Sequence, residues 1–261
     1  MTRAFVIAAL VLAQAPFAHA DRTEPHRAKR ALVGAVAIGL IVTSETVAKD
    51  ALAPDACRWC NVNGLDDRVH GALAWGDAKR AAALSNLAAV ALLPASMIGL
   101  RVIAANDRPD RWLSLGDDLL AIVEATLYSQ LVVQAIKFAA GRQRPYAHDA
   151  APGDLLGSND DNLSFLSGHS SLSFAIATSA GVVARARGAA YEPVIWATGL
   201  TLAATTAYLR IAAEKHYLTD VLAGSALGVT AGLLVPRITG GLPDGVQLVP
   251  TGNGLALAGV F

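Results

Sequence analysis

The chain has 261 residues, of which 54% are hydrophobic and only 16% are charged, and its mean hydropathy is +0.43. Soluble domains carry about 25% charged residues, so this composition favours a membrane protein. The 21 basic and 21 acidic residues balance, which excludes the strongly basic surface expected of a nucleic-acid-binding protein. The length suits one domain with a sizeable core.

The chain begins with a segment typical of an export signal. Residues 1–20 combine a basic start, an apolar stretch at 4–13 and the small-residue pattern Ala18-His19-Ala20 of a cleavage site. We expect this signal peptide to be cleaved after Ala20, and an uncleaved N-terminal anchor is the alternative. The polar, basic residues 21–30 are predicted to form a linker.

Six apolar stretches predict an all-α, membrane-embedded bundle of about six helices. They cover residues 31–47, 81–100, 119–136, 172–184, 194–209 and 221–235. Only 81–100 clearly reaches the roughly 20 residues that a membrane-spanning helix needs, and Pro94 is expected to kink it. The stretches are rich in Ala, Gly, Ser and Thr, which allow close helix packing in a membrane; an Ala-rich soluble bundle is the alternative.

Two features lie outside these helices. The helical domain is predicted to cover residues 21–239, and the tail at 240–261 contains two apolar runs around Pro-Thr-Gly-Asn-Gly, which predicts a short β-hairpin. Cys57 and Cys60 are the only cysteines. In an exported chain this pair favours a local disulfide, and a thiol-redox role is the weaker alternative.

Polar residues at the ends of the apolar stretches form three short segments. Lys137 precedes Arg144-Pro145, and a third cation, Arg210, follows the stretch at 194–209. Arginine offers a planar fork to two oxygens and lysine a point charge, so three such cations suit an oxyanion. Each segment alone is ordinary, since Arg-Pro usually marks a helix end; their occurrence together favours a functional site.

The remaining polar residues of these segments are suited to acid–base and nucleophilic chemistry. His216 and Asp220 are four residues apart, so on a helix the carboxylate would hold one imidazole N–H and leave the other nitrogen as a nucleophile. Ser167-Gly168-His169 precedes an apolar helix and reads as its N-cap and first turn. The free backbone N–H groups of such a turn bind anions.

Together these segments resemble the three-part motif of the type 2 phosphatidic acid phosphatase and vanadium haloperoxidase superfamily, in its membrane lipid phosphatase branch. Every internal spacing of that motif is kept, and the motif-bearing core covers residues 115–237. The sequence departs from it twice, since Leu166 replaces a proline and Leu209 replaces a serine. Both departures bear on loop shape or substrate fit rather than on the side chains that do the chemistry.

The resemblance implies a phosphatase that hydrolyses a phosphate monoester or pyrophosphate of a lipid through a phosphohistidine, with no metal or other cofactor. His216 would attack phosphorus, Asp220 would orient His216, and His169 would protonate the leaving oxygen. The phosphate-binding residues would be Lys137, Arg144, Arg210, Ser167 and Gly168.

The predicted partners are a phosphorylated lipid and the membrane, with no nucleic acid, and the predicted location is a bacterial-type inner membrane with the active site facing the periplasm. The six-helix order places loops 137–171, 210–220 and 48–80 on one side. The basic, acid-free connection at 185–188 favours the cytoplasm for the other side. A cleaved signal followed by a spanning helix at 31–47 conflicts with this orientation.

Three other functions stay open at this point. A cleavable signal and helices of marginal length suit a soluble periplasmic acid phosphatase of broad specificity. A vanadate-dependent haloperoxidase would use the same anion site, although the chain is short for that group. A non-catalytic membrane binding protein would keep the fold without the reaction.

Overall fold

The computed structural model describes residues 24–105, 111–150, 160–239, 242, 247–251 and 254–258. The predicted signal peptide at 1–20 lies outside the described residues. The helices are α1 Glu24–Glu45, α2 Lys49–Leu52, α3 Gly64–Leu73, α4 Ala78–Asn86, α5 Leu93–Ala105, α6 Arg111–Ala140, α7 Pro145–His148, α8 Gly168–Ala186, α9 Glu192–Ala212 and α10 Leu218–Ile238. A π-helical segment, Leu87–Leu92, joins α4 to α5.

The six long helical regions confirm the predicted all-α bundle, and they are longer than the apolar runs suggest. Four of them are long and apolar enough to cross a membrane: Ala78–Ala104, Leu113–Ala140, Glu192–Ala212 and Leu218–Ile238. Each extends into the polar residues that flank its apolar run, so the estimate that only 81–100 is long enough was too strict. Large apolar side chains such as Val90, Leu222 and Leu234 face outwards, as expected of a membrane-embedded fold.

Helix α8 forms the centre of the bundle and is buried from Ser170 to Ala184 at most positions. Helices α6, α9 and α10 pack around it. Three glycines at four-residue intervals, Gly224, Gly228 and Gly232, face α8, and a Cβ at any of them would overlap the α8 chain or Ser167 just before it. This glycine stripe lets the backbones touch, and it fixes the start of α10 against the start of α8.

Helix α1 runs along α6 in the same direction. Near its start Arg27 pairs with Asp117, one turn later Arg30 pairs with the buried Glu124, and at its end Glu45 accepts a hydrogen bond from Gln134. Residues 31–45 of α1 therefore lie alongside α6, which contains the candidate span Leu113–Ala140. Together the helices define a loop end, made of residues 45–77, 137–150, 160–171 and 210–220, and an opposite end.

Two smaller features agree with the sequence. Strands β1 (Gln247–Thr251) and β2 (Gly254–Ala258) pair antiparallel, which confirms the predicted hairpin. The π-helical segment ends at Leu92, two residues before Pro94, the second residue of α5. A proline has no N–H to donate to the preceding turn, so the regular hydrogen-bond ladder is interrupted where the kink was expected.

Candidate active site

The three predicted phosphate-binding cations all lie at the loop end. Lys137 is in the last turn of α6, Arg210 is in the last turn of α9, and Arg144 is the residue before Pro145, which starts α7. All three side chains are buried. Their charges act together on the two predicted catalytic histidines, His169 and His216. The fold therefore gathers residues that are 73 positions apart, from 137 to 210, into one positively charged site.

Carboxylates partly neutralise these cations. Glu45, the last residue of α1, lies 3.6 Å from Lys137 Nζ, and Asp160 lies 3.8 Å from Arg144 while its backbone oxygen accepts a 2.7 Å bond from Arg144 Nε. Arg210 Nε is buried and has no hydrogen-bond partner among the described residues. The arrangement leaves an arginine donor for an incoming anion. Neither Glu45 nor Asp160 belongs to a sequence motif, so the sequence analysis did not identify them as residues of the site.

The start of α8 is built as predicted, with one difference. Ser167 is the N-cap and its hydroxyl accepts from the Ser170 N–H at 3.4 Å. The Ser167 N–H, however, donates to the Asp220 backbone oxygen at 3.1 Å, so that amide is already used within the protein. Gly168 lies next to one of the predicted phosphate-binding cations, since a Cβ added to it would be 3.8 Å from Lys137 Nζ.

His216 is oriented differently from the prediction. It lies in the turn before α10 rather than on a helix with Asp220, and its Nδ1 is 4.0 Å from Asp220 Oδ2. Nδ1 instead lies 2.7 Å from the Ser164 backbone oxygen. A carbonyl oxygen can only accept, so Nδ1 carries the hydrogen and Nε2 is left with a free lone pair. Asp220 is linked to His216 through Ser164. Its carboxylate accepts a 2.5 Å hydrogen bond from the Ser164 hydroxyl, and the Ser164 backbone oxygen is the partner of His216 Nδ1.

A buried ionic cluster holds Asp220 in turn. Arg142 donates to Asp220 at 2.5 Å and to Asp66 at 2.7 Å, and all three side chains have at most 1% exposure. Asp66 also accepts from the Thr219 backbone and hydroxyl at 2.9 and 2.6 Å. Burial raises the pKa of Asp66, but the Thr219 and Arg142 hydrogen bonds outweigh it and the pKa is lowered. No motif in the sequence marks Asp66.

The loop that carries Cys57 and Cys60 covers this cluster. The two cysteines form a disulfide, and Trp59 between them stacks on the Arg142 guanidinium at 4.2 Å. The Arg58 N–H donates to the Gly141 backbone oxygen at 2.9 Å. Gly141 has a φ of +57°, which favours glycine, and its position sets the bend between α6 and Arg142. The disulfide loop is thus part of the loop end.

His169 is in the first turn of α8, and its Nε2 lies 2.8 Å from Asn86 Oδ1 at the end of α4. Burial, followed by the charges of Arg210, Lys137 and Arg144, lowers the pKa of His169 to about 3 in the anion-free site. The same causes lower the pKa of His216 well below 6.5. Both histidines are therefore neutral at pH 7 until an anion compensates the three cations.

The two histidines and the three cations form one candidate site. A neutral imidazole with a free Nε2 faces a positive site, and a second imidazole stands near the same cations. Within the described residues, no group of three or more His, Cys, Asp or Glu side chains is placed to hold a metal ion. The candidate anion partners are Lys137, Arg144 and Arg210, the three buried cations of the site.

Comparison with known proteins gives two matches. The sequence profile of the PAP2 superfamily matches residues 118–242, a stretch that contains every predicted catalytic and phosphate-binding residue. No curated protein matches the chain. The fold is similar to the crystal structure of a transmembrane PAP2 type phosphatidylglycerolphosphate phosphatase from Bacillus subtilis, with a TM-score of 0.44 and 17% identity over 80% of this chain and 92% of that one.

Proposed function

We propose that this chain, which belongs to the PAP2 superfamily through residues 118–242, is a membrane phosphatase that removes phosphate from a lipid by way of a phosphohistidine on His216. The observation that carries the proposal is the convergence of two neutral histidines with three buried cations at one end of an apolar bundle. A site of this composition binds a tetrahedral oxyanion and offers it one nucleophile and one proton donor.

The depth of the site supports a lipid substrate. Lys137 is three residues from the end of the candidate span Leu113–Ala140, and Arg210 is two residues from the end of Glu192–Ala212. At 1.5 Å per residue these cations lie about 5 Å or less from the span ends. Lipid phosphates lie at the same level, just outside the hydrocarbon core. A lipid phosphate could therefore reach the cations while its acyl chains stay in the bilayer.

In the first step, the Nε2 lone pair of His216 attacks phosphorus and the bond from phosphorus to the leaving oxygen breaks. The leaving oxygen takes the electron pair of that bond and a proton from His169. The Ser164 carbonyl holds Nδ1–H and stabilises the imidazolium that forms. Lys137, Arg144 and Arg210 stabilise the charge on the three equatorial oxygens, where it resides in the transition state.

In the second step, water attacks phosphorus and its proton passes to His169, which is now a base. The bond between phosphorus and Nε2 breaks, its electrons return to His216, and phosphate leaves. The proton count closes, since the proton that His169 takes from water replaces the one that it had received from the substrate phosphate, and that proton leaves with the product phosphate. Because three side-chain cations stabilise the negative charge on the phosphoryl oxygens, we propose that turnover needs no metal ion.

The active site is proposed to face the periplasm. The Cys57–Cys60 disulfide is at the loop end, and disulfides persist in oxidising compartments. The opposite end carries Arg185 and Arg187 in a connection without acids, as cytoplasmic connections do. This orientation puts the start of α1 on the cytoplasmic side, so a cleaved signal peptide is compatible with it only if α1 does not cross the membrane.

The test is phosphate release from a long-chain phosphatidate in detergent micelles with EDTA present. We expect wild type to release phosphate and His216→Ala to be inactive, with a loss of at least about 10⁴-fold. His148→Ala is the matched control, because His148 is an exposed histidine of the same loop region, and it should keep wild-type activity. A rapidly quenched wild-type reaction should contain acid-labile phosphoenzyme.

Two results would contradict the proposal. Equal activity of wild type and His216→Ala would show that His216 is not the nucleophile. Release of the protein from membranes without detergent would favour the soluble acid phosphatase over the lipid enzyme, although the four candidate spans favour membrane insertion.

A further inference from the structure

Asn86 is an unexpected polar residue on the outside of the bundle. It lies within the candidate span Ala78–Ala104, is exposed, and has the exposed apolar residues Leu84 and Leu87 as close neighbours. An amide on such a surface is costly unless it has a hydrogen-bond partner. The partner is His169, whose Nε2 lies 2.8 Å from Asn86 Oδ1.

The helix changes its geometry immediately after this residue. Asn86 is the last residue of α4, and the π-helical segment Leu87–Leu92 follows at once. A π-helical turn shifts the faces of the helix beyond it, and such turns are frequent at functional sites. Asn86 thus belongs to the face of α4 that meets the start of α8, whereas the residues of α5 follow a different register.

We propose that Asn86 is a positioning residue for His169, the proton donor of the reaction, an inference that rests on the proposed function. The amide oxygen carries no hydrogen, so it accepts from Nε2–H and leaves Nδ1 as the nitrogen that exchanges a proton. Nδ1 gives its proton to the leaving oxygen, while Asn86 neither gains nor loses one. The bond also holds the imidazole ring in one orientation throughout the step.

The charges around His169 explain why this acceptor matters. Lys137 from α6, Arg210 from α9 and Arg144 before α7 all disfavour its protonated form, and Glu45 from α1 favours it. A hydrogen bond from a protonated imidazole to an amide oxygen is charge-assisted, and therefore stronger than one from the neutral ring. Asn86 therefore stabilises the protonated form of His169 through Nε2 and leaves Nδ1 for the substrate phosphate.

The experiment separates proton donation from other roles by using two substrates with the same alkyl chain. One is an n-alkyl phosphate, whose alkoxide leaves only with a proton, and the other is a nitrophenyl phosphate, whose phenolate leaves without one. The quantity compared is kcat/KM, which covers the steps up to departure of the leaving group and excludes the later water step. Asn86→Leu removes the acceptor, Asn86→Asp keeps it, and Leu87→Ala is the matched control.

We expect Asn86→Leu to lower kcat/KM for the alkyl phosphate about 10- to 100-fold, and for the nitrophenyl phosphate by less than about threefold. Asn86→Asp should stay within about threefold of wild type on both substrates, and Leu87→Ala should be unchanged. Retained nitrophenyl phosphate turnover shows that Asn86→Leu is folded.

Two outcomes would overturn the inference, and they are distinguishable. An equal loss on both substrates, or no loss on the alkyl phosphate, would remove the role of Asn86 and leave the proposed function intact. Absence of wild-type turnover on both substrates would overturn the proposed function, and the role of Asn86 with it.

Discussion

The two ends of the bundle both contain buried charges, but they arrange them differently. At the opposite end, Asp118 is fully buried and contacts both Arg101 and Arg187, the latter at 2.8 Å. At the loop end, the carboxylates stand 3.6 Å from Lys137 and 3.8 Å from Arg144. Close pairing offsets the cost of removing charges from water, and these two predicted phosphate-binding cations are less closely paired.

The loop end itself has two layers. Behind His216, the cluster of Arg142, Asp66 and Asp220 is as closely paired as the Asp118 cluster. In front of it, the three cations are crowded together and only loosely matched by acids. The closely paired cluster keeps the nucleophile in place, whereas cations without close acidic partners are suited to bind an anion. Charge pairing therefore distinguishes scaffold from binding site in this protein.

Among the variants that change a buried charge, the largest effect on activity should come from replacing Arg210, and Asp118 is the comparison at the opposite end. Arg210→Met should lower kcat/KM by about 10²- to 10³-fold, because it removes a donor to the transferring phosphoryl group. Its thermal stability should be equal to that of wild type or higher, since one of the crowded cations is gone. Asp118→Asn should destabilise the fold by about 3–5 kcal/mol, because two buried arginines lose their anion, and the folded protein should stay active.

The measurements are kcat/KM on a lipid phosphate and the thermal midpoint in the same detergent. If both variants lost activity in proportion to the fraction unfolded, the contrast between the two ends would not hold.

Much of this arrangement could be predicted from the sequence because it depends on local patterns. Apolar runs and their length give the six helices, and a turn between two short runs gives the hairpin. Fixed spacings place Lys137 in the last turn of α6, Arg144 just before α7, and Ser167 at the start of α8. Glycines 224, 228 and 232 recur every four residues in the sequence, but only the structure shows that they meet α8.

The remaining features depend on contacts between distant parts of the chain. Asp66 is 76 positions from Arg142, and Asn86 is 83 positions from His169. No local signal distinguishes a buried Asp66 from the solvated Asp67 beside it. The i,i+4 spacing of His216 and Asp220 predicted a direct hydrogen bond that the structure does not have. The chain turns before α10, and the Ser164 backbone oxygen takes the place at His216 Nδ1 that was expected for Asp220.

The pH dependence of activity should show how the crowded cations act on the histidines. The pKa of His169 is about 3 and that of His216 is well below 6.5 without an anion, so both are neutral near pH 7. His216 therefore stays unprotonated and nucleophilic at mildly acidic pH, and its protonation lowers activity only well below pH 6.5. The proton for His169 must arrive with the phosphate, whose second pKa is about 6. We therefore expect kcat/KM to fall about tenfold per pH unit above about pH 7.

This profile is measured on a lipid phosphate between about pH 4 and about pH 9, with the micelle composition held constant. A profile that is flat from about pH 5 to about pH 9 would contradict the roles of both histidines.

The smallest effect should come from Glu45, the carboxylate nearest to Lys137. Glu45→Gln keeps the size of the side chain and removes the charge that competes with phosphate for that lysine. Glu45 is about one-third exposed, so we expect inorganic phosphate to inhibit only about twofold to fivefold more strongly. Glu192→Gln, at the opposite end, is the matched control and should not change the inhibition constant. Weaker inhibition in Glu45→Gln would mean that Glu45 positions Lys137 for phosphate, through its bond with Gln134, rather than competing with it.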